Sequence, residues 1–162
     1  MADTHRAVSK LQEKFAASIL EVKEDRGDWI VTVTKESLIA TLSFLKAECR
    51  YTMLTDVTAV DYLGKKNERF MMVYQMTSVE HKDRIRIKAP VSESDCRIES
   101  ATQVFGSANW LEREVFDLFG ITFDNHPDLR RILMTPDWVG HPLRKDYPLQ
   151  GPDREPYQGR LS

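Results

Sequence analysis

The sequence predicts an α+β domain: a small, mainly antiparallel sheet with helices packed on one face, followed by an extended proline-rich C-terminal arm. Three observations carry that prediction. Apolar residues recur at helical spacing in three separate stretches. Between the second and the third, three stretches rich in β-branched and aromatic residues follow one another through short polar links, the pattern of neighbouring antiparallel strands. Six of the seven prolines lie after Gly120, where they break the chain into short extended pieces.

Val8, Leu11, Phe15, Ile19 and Val22 recur at spacings of three and four and predict one amphipathic helix. Gly27 ends it. Trp29 to Val33 is β-branched and reads as a strand. Thr34 is placed to cap a second helix, with Leu38, Leu42, Leu45 and Cys49 on its buried face. Tyr51 to Tyr62 and Phe70 to Ser78 read as strands joined through the polar turn Gly64-Lys65-Lys66-Asn67. Arg84, Arg86 and Lys88 then alternate with Ile85, Ile87 and Ala89, so one strand face is apolar and the other basic, as on a solvated or edge-protecting surface. Pro90 is expected to close that strand. Cys96 to Phe105 carries weak helix signals. Asn109 is expected to cap the third helix with Glu112 as its capping-box partner, and Gly120 to stop it. Leu111, Val115 and Leu118 line one side of this helix and Phe116 and Phe119 another, so more than one neighbour should bury it. The domain is expected over 1–120 and the arm over 121–162, its last part from Leu149 extended or disordered when alone.

Composition narrows the function. A length of 162 residues fits one domain, and 41% hydrophobic with 30% charged residues belongs to a globular chain rather than a disordered one. A formal net charge of −2 offers no electrostatic case for nucleic acid. Cys49 and Cys96 lie far apart and cannot supply the four thiolates of an iron–sulfur cluster or structural zinc; they read as reduced thiols of a cytosolic protein. The first residues, MADTHRAVSKLQEKF, have no apolar core and do not read as a signal peptide. No apolar run approaches the roughly 18 residues of a membrane span, so any membrane association is expected through a partner.

Catalytic chemistry finds little support. His126 and His141 sit near Asp124, Asp128, Asp137 and Asp146, but each precedes a proline and no preorganised histidine pair is present. Both read as turn-fixing residues. Glu112 and Glu114 point to different sides of the third helix. Glu114 and Asp117 share one, yet Arg113 beside both glutamates argues for ion pairs rather than acid–base work. No nucleophile elbow, dinucleotide loop or P-loop occurs. Arg113, Arg130, Arg131, Arg144 and Lys145 each lie close to a carboxylate (Glu112, Asp128, Asp137 or Asp146). Such networks can pin proline-rich backbone that lacks ladder hydrogen bonds. Trp110 and Trp138 read as packing anchors, or as energetic centres if they reach an interface.

The run EREVFDLFGITFDNHPDLRRIL (Glu112 to Leu133) resembles the signature of one family, the C subunits of bacterial NADH–quinone oxidoreductase, respiratory complex I. WVGHPLRKDYP (Trp138 to Pro148) continues the likeness. LTDVTAVDYLG (Leu54 to Gly64) and RFMMVYQMTS (Arg69 to Ser78) resemble its strand segments, so the resemblance covers most of the chain. It implies an α+β subunit of the peripheral arm at the quinone-reducing end of a proton-translocating enzyme. It implies no catalytic, cofactor or metal residue in this chain, with FMN and the Fe–S clusters held by other subunits. The D subunit would be the main partner, with the B and I subunits nearby and the whole on the cytoplasmic face of the bacterial inner membrane. Family-signature and interface candidates are Glu112, Arg113, Glu114, Asp117, His126, Arg130, Arg131, Trp138, His141, Arg144, Lys145 and Asp146. Related chains serve in energy-converting hydrogenases and other complex I-like oxidoreductases. A small metal-dependent hydrolase is the alternative of a different class, and would need histidines and carboxylates converging in a cleft.

Overall fold

A computed structural model describes residues 5–150. Helix α1 (Arg6–Phe15) is followed by a 3-10 turn and the hairpin β1 (Ile19–Asp25) and β2 (Asp28–Val33). A second 3-10 turn leads into α2 (Leu38–Cys49), and three long strands follow: β3 (Met53–Asp61), β4 (Phe70–Ser78) and β5 (Asp83–Val91). The short β6 (Arg97–Glu99), a 3-10 turn (Ala101–Gln103), α3 (Ala108–Phe119) and β7 (Thr122–Asp124) complete the regular elements. The main sheet has the order β1-β2-β5-β4-β3. Only the β2–β5 contact in it is parallel, as the crossover through α2 and the β3–β4 hairpin requires. β6 and β7 form a separate parallel pair.

Period-two alternation puts the apolar face of the sheet under the helices. Phe70, Met72, Tyr74 and Met76 of β4 and Ile85, Ile87, Ala89 and Val91 of β5 are all buried. They join one core with Ala7, Val8 and Leu11 of α1, Leu38, Leu42, Leu45 and Cys49 of α2, and Ala108, Val115 and Phe119 of α3. Arg84, Arg86 and Lys88 point to the other face, where Arg84 and Arg86 pair with Asp28. Burial and the nearby Arg86, Lys66 and Lys23 charges lower the Lys88 pKa. The expected α+β architecture, mainly antiparallel with helices on one face, is the one observed.

Several local expectations are corrected. The first helix ends at Phe15, and Ile19 and Val22 belong to β1. A bulge between Ile19 and Glu21 places two apolar residues three apart on one sheet face, which imitates a helical period. Arg26 and Gly27 both have positive φ (56° and 86°), the two-residue turn whose twist suits a hairpin. Thr34 precedes a 3-10 turn instead of capping α2. Pro90 lies inside β5, opposite Met71; pairing with β2 ends at Lys88, so no ladder bond to β2 is lost there. Cys96 to Phe105 forms β6 and a 3-10 turn rather than a helix. Helix α3 follows Ser107, and Glu112 turns into the core instead of capping it.

Beyond β7 the backbone has no regular structure up to Gln150, yet it lies against α3 and the β3–β4 end of the sheet through many side-chain bonds. The remainder of the expected tail, 151–162, lies outside the described residues.

Candidate functional site

Helix α3 is the organising element. Its spacing turns Glu112, Arg113 and Asp117 inward, at 0%, 6% and 0% exposure, so three charged groups must find polar partners without water. Asp117 does so with consecutive backbone amides. Its Oδ2 accepts from Ile132, Leu133 and Met134 at 3.0, 2.8 and 2.8 Å, and its Oδ1 from Arg131 Nη1 at 2.6 Å. Successive amides aimed at one oxygen form an anion nest. Burial pushes the Asp117 carboxyl up, but these donors outweigh it and hold the pKa below the usual carboxylate range.

Arg131 extends the hub. Nη1 also reaches Asp117 O (3.1 Å), and Nη2 donates to the carbonyls of Trp138 (3.0 Å) and Gly140 (3.1 Å). Arg113 donates from Nε to Arg130 O (3.1 Å) and from Nη2 to Arg131 O (3.3 Å). His141 Nδ1 lies 2.9 Å from Asp117 O, which places its proton there. Burial and the neighbouring Arg144 and Arg131 charges lower the His141 pKa. Arg144 donates from Nε to Phe119 O at 2.6 Å, with its guanidinium 5.2 Å from the Phe70 ring centre. Gly120 ends α3 at φ 74°, and a Cβ there would stand 2.5 Å from the His141 ring, so the glycine serves both the cap and the close approach.

A second anchor fixes the far end of the segment. Arg69, 5% exposed, pairs through two bonds with Asp61 (Nε–Oδ1 3.1 Å, Nη2–Oδ2 2.9 Å) and reaches Asp146 (2.6 and 3.0 Å) and Glu93. Asp61 Oδ2 also accepts from the Lys145 amide at 2.8 Å. Burial raises the Asp61 pKa, but Arg69 and the amides of Lys145 and Leu63 reverse the sign and lower it.

Glu112 has a different environment. Ser100 Oγ and the Ala101 amide donate to it at 2.6 and 2.7 Å, clamping α3 to the 3-10 turn. Burial pushes its carboxyl up to about 7 against those two bonds. His126 Nε2 is 4.0 Å from Glu112 Oε2 and 3.1 Å from Asn109 O, while Nδ1 accepts from the Asp128 amide at 3.0 Å, so the ring carries its proton on Nε2.

The structure thus brings Arg113, Asp117, Arg131, Trp138 and His141 into one hub and places Arg144, Lys145 and Asp146 between it and the Arg69 anchor. Glu112 and His126 form a buried pair beside it. Glu114 and Arg130 face solvent, Arg130 bonded to Asp128 at 2.9 Å. Several sequence expectations change. Arg113 forms no ion pair with Glu112 or Glu114, because the helix turns these neighbours to different surroundings; it meets backbone carbonyls instead. Arg131 and Asp146 find their carboxylate and guanidinium partners 14 and 77 residues away. Among the described residues no three His, Cys, Asp or Glu side chains converge as a metal site, and no helix is long and apolar enough to cross a membrane.

This geometry sits in a chain whose residues 31–153 match the family described as "Respiratory-chain NADH dehydrogenase, 30 Kd subunit". The chain belongs to that family. A Trichlorobacter lovleyi protein, named as the C subunit of NADH-quinone oxidoreductase, is 80% identical over the full length of both chains. A longer Pseudomonas paraeruginosa protein, named as the C/D subunit of NADH-quinone oxidoreductase, is 40% identical over 96% of this chain and 28% of its own length. A trypsin-resistant fragment of Nqo5 superposes with a TM-score of 0.69 at 34% identity, covering 77% of this chain and 100% of the fragment. The chain is accordingly a peripheral-arm subunit of NADH–quinone oxidoreductase. Within this subunit, sequence reasoning missed Arg69 and Asp61. The signal was an arginine and an aspartate at facing ends of two apolar strands, positions where the ladder itself gives them no reason to be charged.

Proposed function

We propose that the chain is a non-catalytic organising subunit of the quinone-reducing module. Its segment 121–162 serves as the arm that docks on the D subunit, with the B and I subunits nearby. FMN and the Fe–S clusters belong to the partner subunits. The protein meets the membrane through the complex, at its cytoplasmic face. The observation that carries this reading is how the signature residues are used. Asp117, Arg113, Arg131, His141 and Arg144 direct their polar atoms to backbone groups of the chain itself, and so shape an irregular surface rather than line a reaction site. Exposed apolar residues then remain on that surface, Leu133 at 61% and Val139 at 68%, which favours burial by another protein. The fused C/D relative supports the D subunit as neighbour.

Affinity purification of the tagged full chain from native membranes in mild detergent tests the role, with mass spectrometry and an NADH–quinone assay on the eluate. Recovery of the D, B and I subunits together with that activity is expected. Recovery of hydrogenase subunits, or of the chain alone, would overturn it.

A further inference from the structure

Helix α3 carries a buried guanidinium that no carboxylate in the described chain neutralises. Arg113 is 6% exposed, bonds to two backbone carbonyls and lies 4.9 Å from the Trp110 ring centre. Among the described residues no Asp or Glu oxygen comes within 4.0 Å of it. The other buried guanidinium, Arg69, has three carboxylates, and Arg131 has Asp117. A desolvated cation normally acquires a counter-charge, because carbonyl dipoles replace only part of the lost hydration. Arg113 also lines an open cleft of about 410 Å³, walled by Phe116, Leu129 and Pro136 and rimmed by Arg130 and Arg131. The Trp110 ring, 62% exposed, extends the apolar surface at its side.

We infer that this cleft receives an Asp or Glu side chain, flanked by an apolar residue, from a partner protein of the complex. The incoming carboxylate pairs with Arg113, and the flanking residue meets Phe116, Leu129 and Trp110. The charge and the apolar walls together specify an acid carried on a protein segment, since a bare anion would leave the walls wet. The inference rests on the docking role proposed above and assigns that docking a place and a chemistry.

The test uses the tagged full chain in its native complex, with a benzophenone amino acid replacing Leu129. Irradiation is expected to link position 129 to a partner peptide that holds an Asp or Glu beside an apolar residue. Arg113→Gln, and neutralisation of that acid, should each lower partner recovery about tenfold, with the double variant no worse than either single one. Pro136 is exposed and sits second in the turn closed by the Trp138 amide on Thr135 O, so Pro136→Glu should place its own carboxylate at the cleft and reduce recovery several-fold, while Pro136→Gln, which changes the turn equally, should not. Crosslinks to a segment without an acid, or undiminished recovery with both Arg113→Gln and Pro136→Glu, would overturn the cleft assignment and leave the role in the complex standing. Failure of the unmodified chain to recover oxidoreductase subunits would overturn the role and the inference with it.

Discussion

The body of the molecule and the segment from His126 to Pro148 are held by opposite physics. In the body, strands and helices satisfy their own backbone groups, and apolar side chains such as Leu42, Phe70 and Ile87 fill the interior. In the segment, regular structure is absent and its backbone groups are satisfied largely by charged side chains: Asp117 of α3 for three amides, Arg113 of α3 for two carbonyls, and the segment's own Arg131 for two more. A core distributes its stability over many small contacts and tolerates loss at one point. A hub concentrates it in a few groups, so one substitution removes several bonds at once. The benefit is a surface of fixed but irregular shape, which helices and strands could not present.

The contrast is at its most severe in Asp117. Asp117→Ala orphans three amides and leaves Arg131 without its carboxylate, at a cost of about 3–5 kcal/mol, read by denaturant unfolding. The loss should appear first as opening of the 126–148 segment rather than of the sheet.

Glu112 separates the two regions through pH. Its folded pKa of about 7 lies above the ordinary 4.5, so the folded state binds the proton more tightly. Its contribution is complete below pH 4.5 and is lost as pH rises through 7, about 3 kcal/mol in all. Asp117, with a lowered pKa, acts in the reverse sense and loses stability as the solution is acidified. Unfolding free energies of the wild type and Glu112→Gln should therefore diverge between about pH 5 and 8, the variant gaining relative to the wild type. Parallel curves would show that Glu112 does not titrate in that range.

Gly140 probes the segment's own packing. At φ 83°, with Tyr147 2.7 Å from where a Cβ would stand, Gly140→Ala should cost about 1–3 kcal/mol. Its melting temperature measures this. At the small end, Glu114→Ala and Lys145→Ala remove exposed side chains. Each should change stability by less than about 0.5 kcal/mol, so any loss of partner recovery would report on the interface alone.

Much of the body was legible because its signals are local. The alternation in β4 and β5 and the apolar stripe of α2 each lie within a dozen residues. β1 escaped because a bulge spaced Ile19 and Val22 like a helix. The hub was legible only as a set of residue types: a cluster of arginines near carboxylates in proline-rich chain, with their role in pinning irregular backbone. Its pairings were not, because Asp117 reaches amides 15 to 17 residues away and Arg69 reaches Asp146 across 77. Sequence proximity favoured Arg113 with its flanking glutamates, and the helix separates them. The family resemblance rests on this stretch; the structure supplies what its residues hold.

If α3 preforms the 126–148 segment in the isolated chain, amide hydrogen exchange of the free protein must register it at Ile132, Leu133 and Met134. Strong protection is predicted at all three, abolished by Asp117→Ala while the amides of β4 and β5 stay protected. Exchange of these three amides at the rate of an unstructured chain in the wild type would contradict preformation.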